Sequence, residues 1–138
     1  MPFSPEEARE FWTGKVQPGV LAGTRRVLLA RGGDRVVGTV QLDMATPPNQ
    51  RHRADVAKLL VHPDVRRQGI ARLLMTRIED VAREAGRSLL TLDTVRGNSA
   101  EVLYRSMGYT AAGVIPGYAR GALSEELEDT VLFYKNLS

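Results

Sequence analysis

From Gln68 to Ala85 the apolar residues Ile70, Leu73, Leu74, Ile78, Val81, Ala82 and Ala85 recur at spacings of three and four, the period of a helix with one buried face. The segments on either side have a different character. Arg53–Val61 (RADVAKLLV) alternates and then turns continuously apolar, as expected of a strand buried at its end. Ser88–Val95 (SLLTLDTV) reads as another strand, while Pro63 stops the first strand and Gly86 the helix. A strand, a helix and a strand in succession make one crossover unit. Together with the hairpins described next, this unit gives an α/β (α+β) fold with a mixed sheet rather than an all-parallel one.

The other segments extend that sheet. Arg25–Ala30 (RRVLLA) and Arg35–Met44 (RVVGTVQLDM) flank the turn Gly32-Gly33-Asp34 as a hairpin, and Tyr109–Ile115 and Thr130–Lys135 are two last strands. About six strands result. Ser4-Pro5-Glu6-Glu7 is a helix start, with Ser4 as N-cap, Pro5 at the first helical position and Glu7 closing a capping box. The sequence predicts that this helix runs to about Lys15 and carries Phe11 and Trp12 into the core. Asn98 with Glu101 forms a second capping box, for a short helix ending before Gly108.

Composition narrows the chemistry. At 138 residues, with no linker or repeat, residues 1–138 read as one domain. The absence of cysteine excludes disulfide scaffolds, thiolate-bound zinc and a Cys nucleophile. The two histidines, His52 and His62, lack the i,i+4 spacing that would put two imidazoles on one ion, so no metal is expected. The net charge of +3 comes from arginines scattered along the chain, and aromatics make up only 6%, so a nucleic-acid partner is not expected. A small anionic ligand fits better. No apolar run approaches the ~20 residues that span a bilayer, and the start MPFSPEEARE is acidic; no membrane association is expected, and the protein reads as cytoplasmic.

Arg66-Arg67-Gln68-Gly69-Ile70-Ala71 lies between the buried strand and the N-terminus of the long helix. Free amides at a helix start, a glycine that lets a ligand approach the backbone, and the positive end of the helix dipole together suit a pyrophosphate. About thirty residues on comes AEVLYRSMGY, with Tyr104 on the short helix. The two segments together resemble the GNAT superfamily of acyl-CoA-dependent N-acetyltransferases. Arg66-x-x-Gly69-x-Ala71 matches its Arg/Gln-x-x-Gly-x-Gly/Ala signature, and Ala100-x-x-Leu103-Tyr104-x-x-x-Gly108-Tyr109 matches its second motif. The resemblance runs from about Val36 to Lys135. It is closest to a bacterial branch that includes tabtoxin-resistance proteins, through KLLVHP (Lys58–Pro63), LTLDT (Leu90–Thr94) and GVIPGYA (Gly113–Ala119).

This resemblance implies an N-acetyltransferase with acetyl-CoA as co-substrate, bound where the strands ending near Val61 and Val95 part. Backbone groups of Leu59, Leu60 and Val61 would pair with the pantetheine arm, and the amides from Arg67 through Gln68, Gly69, Ile70 and Ala71 to Arg72 would cradle the pyrophosphate, with charge from Arg66 and Arg67. Tyr104 is expected to protonate the departing thiolate. Asp55 and Asp93 each interrupt an otherwise apolar strand and are the candidate proton relay for the incoming amine; ion pairing with Arg53 or Lys58 is the structural alternative for Asp55. Tyr118, in the loop between the last strands, and His52 are candidate substrate contacts. The family's usual Asn seven residues before the tyrosine is here Gly97, with Asn98 beside it. The chain also reads as N-terminally short, lacking the usual first strand and helix. On that reading Arg25–Ala30 is an open edge, and a homodimer or an exchanged segment is expected to cover it. The acceptor is expected to be a primary amine of a small molecule, attacked directly in a ternary complex because no cysteine can hold the acetyl group. The alternative is a non-catalytic CoA-binding regulatory or accessory protein.

Overall fold

The computed structural model describes residues 11–14, 24–65, 69–121 and 125–137. The chain folds as β1 (Phe11–Gly14), β2 (Arg25–Gly32), β3 (Arg35–Asp43), β4 (Arg53–Val61), α1 (Ile70–Glu84), β5 (Leu89–Val95), α2 (Ala100–Ser106), β6 (Thr110–Arg120) and β7 (Leu127–Asn136), with single 3-10 turns at Pro48–Gln50 and Pro63–Val65. All seven strands join one sheet in the order β1-β2-β3-β4-β5-β7-β6. Every neighbouring pair is antiparallel except β4–β5, the pair that α1 connects. The mixed, mostly antiparallel sheet expected from the sequence is therefore present.

Alternation in the strands assigns the two faces of the sheet. Leu28, Val40, Leu42, Ala54, Val56, Leu90, Leu92, Val131 and Phe133 are buried, and α1 lays Ile70, Leu74, Met75, Ile78 and Ala82 against them. Each Val, Leu, Ile, Phe or Met side chain so removed from water contributes about 1.5–3 kcal/mol, which is what fixes the helix to the sheet. Gly38 permits the close approach: a Cβ there would stand 3.0 Å from Leu74 Cδ1 and 3.2 Å from Ile70 Cγ2. Gly38→Val is expected to overpack this contact by about 1–3 kcal/mol and lower the melting temperature, measured by thermal denaturation.

Two expectations are corrected here. The helix foreseen up to Lys15 is not what the described part shows: Phe11–Gly14 is a strand, paired antiparallel with Val27–Ala30. Ser4–Glu7 lie outside the described residues. Four rungs of ladder to β2 satisfy backbone donors and acceptors that a helix over the same residues would leave open on β2. Consequently β2 is flanked by β1 and β3 and is not an edge, so the ground for a dimer across it is gone. The second concerns the last hairpin. β6 extends to Arg120 and carries Tyr118 within a strand rather than a loop, because pairing with β7 resumes at Ala119↔Glu128 and Arg120↔Leu127 after an irregularity between Ile115 and Ala119.

Candidate active site

β4 and β5 pair over only three rungs, Arg53↔Leu89, Ala54↔Leu90 and Asp55↔Thr91. Beyond Asp55 the strands part, each held by its outer neighbour, β3 for β4 and β7 for β5. A wedge opens between them. The β5-facing backbone groups of β4 past Asp55 are left with no strand partner, and buried backbone groups need one. A bulge sharpens the divergence: Thr39 faces Leu60 and Gln41 faces Ala57, so Lys58 and Leu59 oppose the single residue Val40. Lys58 takes φ +58°, the one described non-glycine residue in the left-handed region, which re-aims the backbone at the widening gap.

A cleft of about 820 Å³ occupies the wedge and runs between the starts of α1 and α2. Leu59, Leu60, Val61, Gly69, Ile70, Ala71, Arg72 and Asn98 all line it, together with Tyr104 and Asp93. The foreseen cofactor residues that the structure describes are thus brought to one place. Arg66, Arg67 and Gln68 lie outside the described residues. Leu60 is 61% exposed and serves the cleft rather than the core, whereas Leu59 and Val61 are partly buried against the core. Lys58, Thr94, Ser99 and Leu103 also line it, and of these the left-handed turn at Lys58 has no sequence signal.

The helix end at the cleft is suited to an anion. Gly69 caps α1 with φ +78° and no side-chain hydrogen bond, and among the described residues the amides of Ile70, Ala71 and Arg72 have no acceptor. A Cβ on Gly69 would meet no atom of the other described residues within 4 Å. Arg72 reaches across to α2, donating to Ser106 Oγ at 2.7 Å and so tying the start of α1 to the last turn of α2. The cap of α2 is displaced from the foreseen box. Asn98 Oδ1 accepts from the Ala100 amide at 2.9 Å, while Glu101 reaches the amide of Gly97 rather than that of Asn98.

Tyr104 is 6% exposed, with its ring 5.8 Å from the rings of Tyr109 and Phe133. No described residue hydrogen-bonds its hydroxyl, and Tyr104 lines the cleft. Burial, and then the charge of Asp93, push its pKa up to about 12. Asp93 itself is exposed, and the Thr130 hydroxyl lies 3.1 Å from its Oδ2.

A second cleft, of about 720 Å³, lies on the face of the sheet opposite α1. The register aligns Arg25, Asp43, Asp55, Thr91 and Tyr134 in one row across five strands. Arg25 donates to Gln41 Oε1 at 2.9 Å and to Asp43 Oδ2 at 3.3 Å, and Arg53 and Thr91 both bond to Asp55. Asp55 is therefore ion-paired with Arg53, as the structural alternative has it. Tyr118 lines this cleft at 54% exposure. His52 lines neither cleft; it stands in the turn before β4, where its carbonyl accepts the amides of Ser88 and Leu89. The two clefts meet at Val56, Ala57, Lys58 and Asp93. Sequence reasoning missed Gln41, Asp43 and Tyr134, although their alternation with Val40, Leu42 and Phe133 marks them as facing away from the core.

A parted parallel strand pair with a helix start at its mouth and a tyrosine beside it makes a cleft suited to a long anionic ligand. The chain belongs to the GNAT acetyltransferase family: residues 23–111 match the model of its acetyltransferase (GNAT) domain. It is 35% identical over 104 residues to an IAA acetyltransferase of Azospirillum brasilense, a match that covers 75% of this chain and 66% of that protein. The chain thus spans just under two thirds of that relative's length. Among solved structures it superposes on the ribosomal-protein-alanine N-acetyltransferase of Brucella melitensis with a TM-score of 0.76 and 26% identity, over 86% of this chain and 72% of that one. It is equally similar in fold to yncA of Salmonella typhimurium, solved with its cofactor acetyl-CoA: TM-score 0.76, 22% identity, over 87% of this chain and 68% of that one.

Proposed function

We propose that the chain is an N-acetyltransferase that takes acetyl from acetyl-CoA and passes it to a primary amine of a small molecule by direct attack in a ternary complex. The observation that carries this is the meeting of two clefts at one carboxylate. The first offers backbone amides and a helix start to a long anionic ligand; the second offers the Asp93 carboxylate and the rings of Tyr118 and Tyr134 to an amine. A protein that only bound CoA would have no use for the second cleft, which is what favours catalysis over a purely regulatory role.

Acetyl-CoA supplies an activated acyl carbon on a sulfur leaving group. The uncapped amides of α1 and the free edge of β4 suit its pyrophosphate and pantetheine arm. Asp93 stands between the clefts and takes the proton of the incoming ammonium, while Asp55, held by Arg53 and Thr91, shapes the acceptor side. Tyr104 gives its proton to the departing thiolate. Burial, and then the Asp93 charge, hold the Tyr104 phenol protonated up to about 12, so it carries a proton to give at neutral pH. No cysteine is available for a covalent acetyl-enzyme, which supports direct attack.

The segments that carry the resemblance to tabtoxin-resistance proteins fall on β4, β5 and β6, against these clefts, and a bacterial, cytoplasmic enzyme of that branch is part of the reading. Among the described residues no helix is long and apolar enough to cross a membrane. Incubating the protein with acetyl-CoA and a panel of small amines while following thiol release is the direct test. Acetylation of at least one cationic amine is expected, and CoA binding without turnover on any member would leave the protein a binder.

A further inference from the structure

Glu79 is a carboxylate only 4% exposed on α1, and it lines neither cleft. A buried carboxylate is costly unless it is paired and hydrogen-bonded, and Glu79 is both. Its Oε2 accepts from the Tyr109 hydroxyl at 3.1 Å and its Oε1 from Lys135 Nζ at 2.9 Å, with Arg83 Nη2 3.7 Å away. These partners come from α1, from the turn before β6 and from β7. Three separately folded elements are therefore tied at one carboxylate.

The member of this cluster that matters to the cleft is Tyr109. It is held at every part: its hydroxyl by Glu79, its amide by the Tyr104 carbonyl at 3.0 Å, and its ring by Lys135 Nζ, 5.5 Å from the centroid. Its ring packs against that of Tyr104 at 5.8 Å with a 57° tilt, and Phe133 meets Tyr104 at the same distance with a 58° tilt. Tyr104 is thus wedged between two rings. Phe133 is fixed by the sheet, whereas Tyr109 precedes β6 and depends on Glu79 for the position of its far end.

We propose that Glu79, Tyr109 and Lys135 form a positioning cluster that fixes the Tyr104 ring so that its hydroxyl stays aimed into the cleft. The inference rests on the reading of Tyr104 as the proton donor. None of the three touches a ligand; each acts through Tyr104. Proton transfer requires hydrogen-bond geometry, so a ring free to tilt loses rate while the cleft that binds acetyl-CoA is unchanged. Burial, and then the Glu79 charge, push the Tyr109 hydroxyl above the ordinary phenol range, so it stays a donor to Glu79 at any working pH.

A double-mutant cycle on the intact chain tests this, with steady-state kinetics against the amine that turns over best. Tyr109→Phe keeps the ring and removes only the hydroxyl that Glu79 holds. It is expected to lower kcat about tenfold with KM for acetyl-CoA unchanged. Glu79→Gln keeps the shape of the side chain and should lower kcat in the same way, which guards against a folding defect peculiar to one variant. In a Tyr104→Phe background Tyr109→Phe should have no further effect, because the group it positions is already gone. Wild-type kcat in folded Tyr109→Phe and Glu79→Gln, with Tyr104→Phe impaired, overturns the positioning role alone, as do effects that multiply in the double variant. Full activity in Tyr104→Phe overturns the proton-donor reading and this inference with it.

Discussion

Tyr104→Phe is expected to lower kcat by about 10²–10⁴ and leave acetyl-CoA affinity nearly unchanged, since only a proton donor is removed. The substitution isolates the hydroxyl cleanly. The ring keeps its contacts with Tyr109 and Phe133, and no described residue loses a hydrogen bond, so stability should change by less than about 1 kcal/mol. A Tyr104 that served only the core would be replaced by Phe at no kinetic cost. The pH dependence follows from the same environment. A phenol pushed up to about 12 by burial and by Asp93 holds its proton below that pH and loses it above. No fall in kcat from this group is therefore expected through pH 10, where an ordinary phenol would already be half ionised. Steady-state kinetics and a melting curve on the same preparation check both parts.

Gly69→Asp is expected to weaken acetyl-CoA at least about a hundredfold, close to 2.7 kcal/mol. The residue stands at φ +78° at the start of α1, beside three amides with no acceptor among the described residues, and a Cβ there meets none of the other described residues within 4 Å. Aspartate tolerates the left-handed region better than most residues, and its carboxylate suits a helix N-terminus, so the variant should fold. Those same properties make it damaging to a bound pyrophosphate. Its carboxylate would take the free amides and place a negative charge where the ligand's phosphates need to lie; at ~5 Å and an effective dielectric near 20, each such charge pair costs about 3 kcal/mol. Gly69→Asn carries the same shape without the charge and should fall between. Calorimetry that finds wild-type affinity in the folded Asp variant removes the phosphate site from the start of α1.

The sequence alone determined the features that depend on neighbours in the chain. The three-and-four spacing of Ile70, Leu74, Ile78 and Ala82 specifies a one-faced helix whatever it packs on, and alternation in the strands marks which residues turn to the core. Gly69 followed by the helix, and Tyr104 on the short helix after β5, are likewise local patterns, and both residues line the first cleft. Tertiary structure decided what depends on distant segments meeting. Whether Phe11–Gly14 becomes helix or strand turns on the unpaired edge of β2, which local propensity does not contain. The bulge at Lys58 is set by β3 and β4 pairing out of step, and its left-handed backbone at a lysine carries no compositional mark. Asp55 and Asp93 look alike in sequence, each a carboxylate in an apolar strand. Register separates them: Asp55 falls opposite Thr91 and beside Arg53, where its charge is answered, while Asp93 falls just past the last rung, where β4 has turned away and the carboxylate faces both clefts. Periodicity is written one residue at a time, but which groups face each other across a sheet is settled only when chain ends tens of residues apart are brought together.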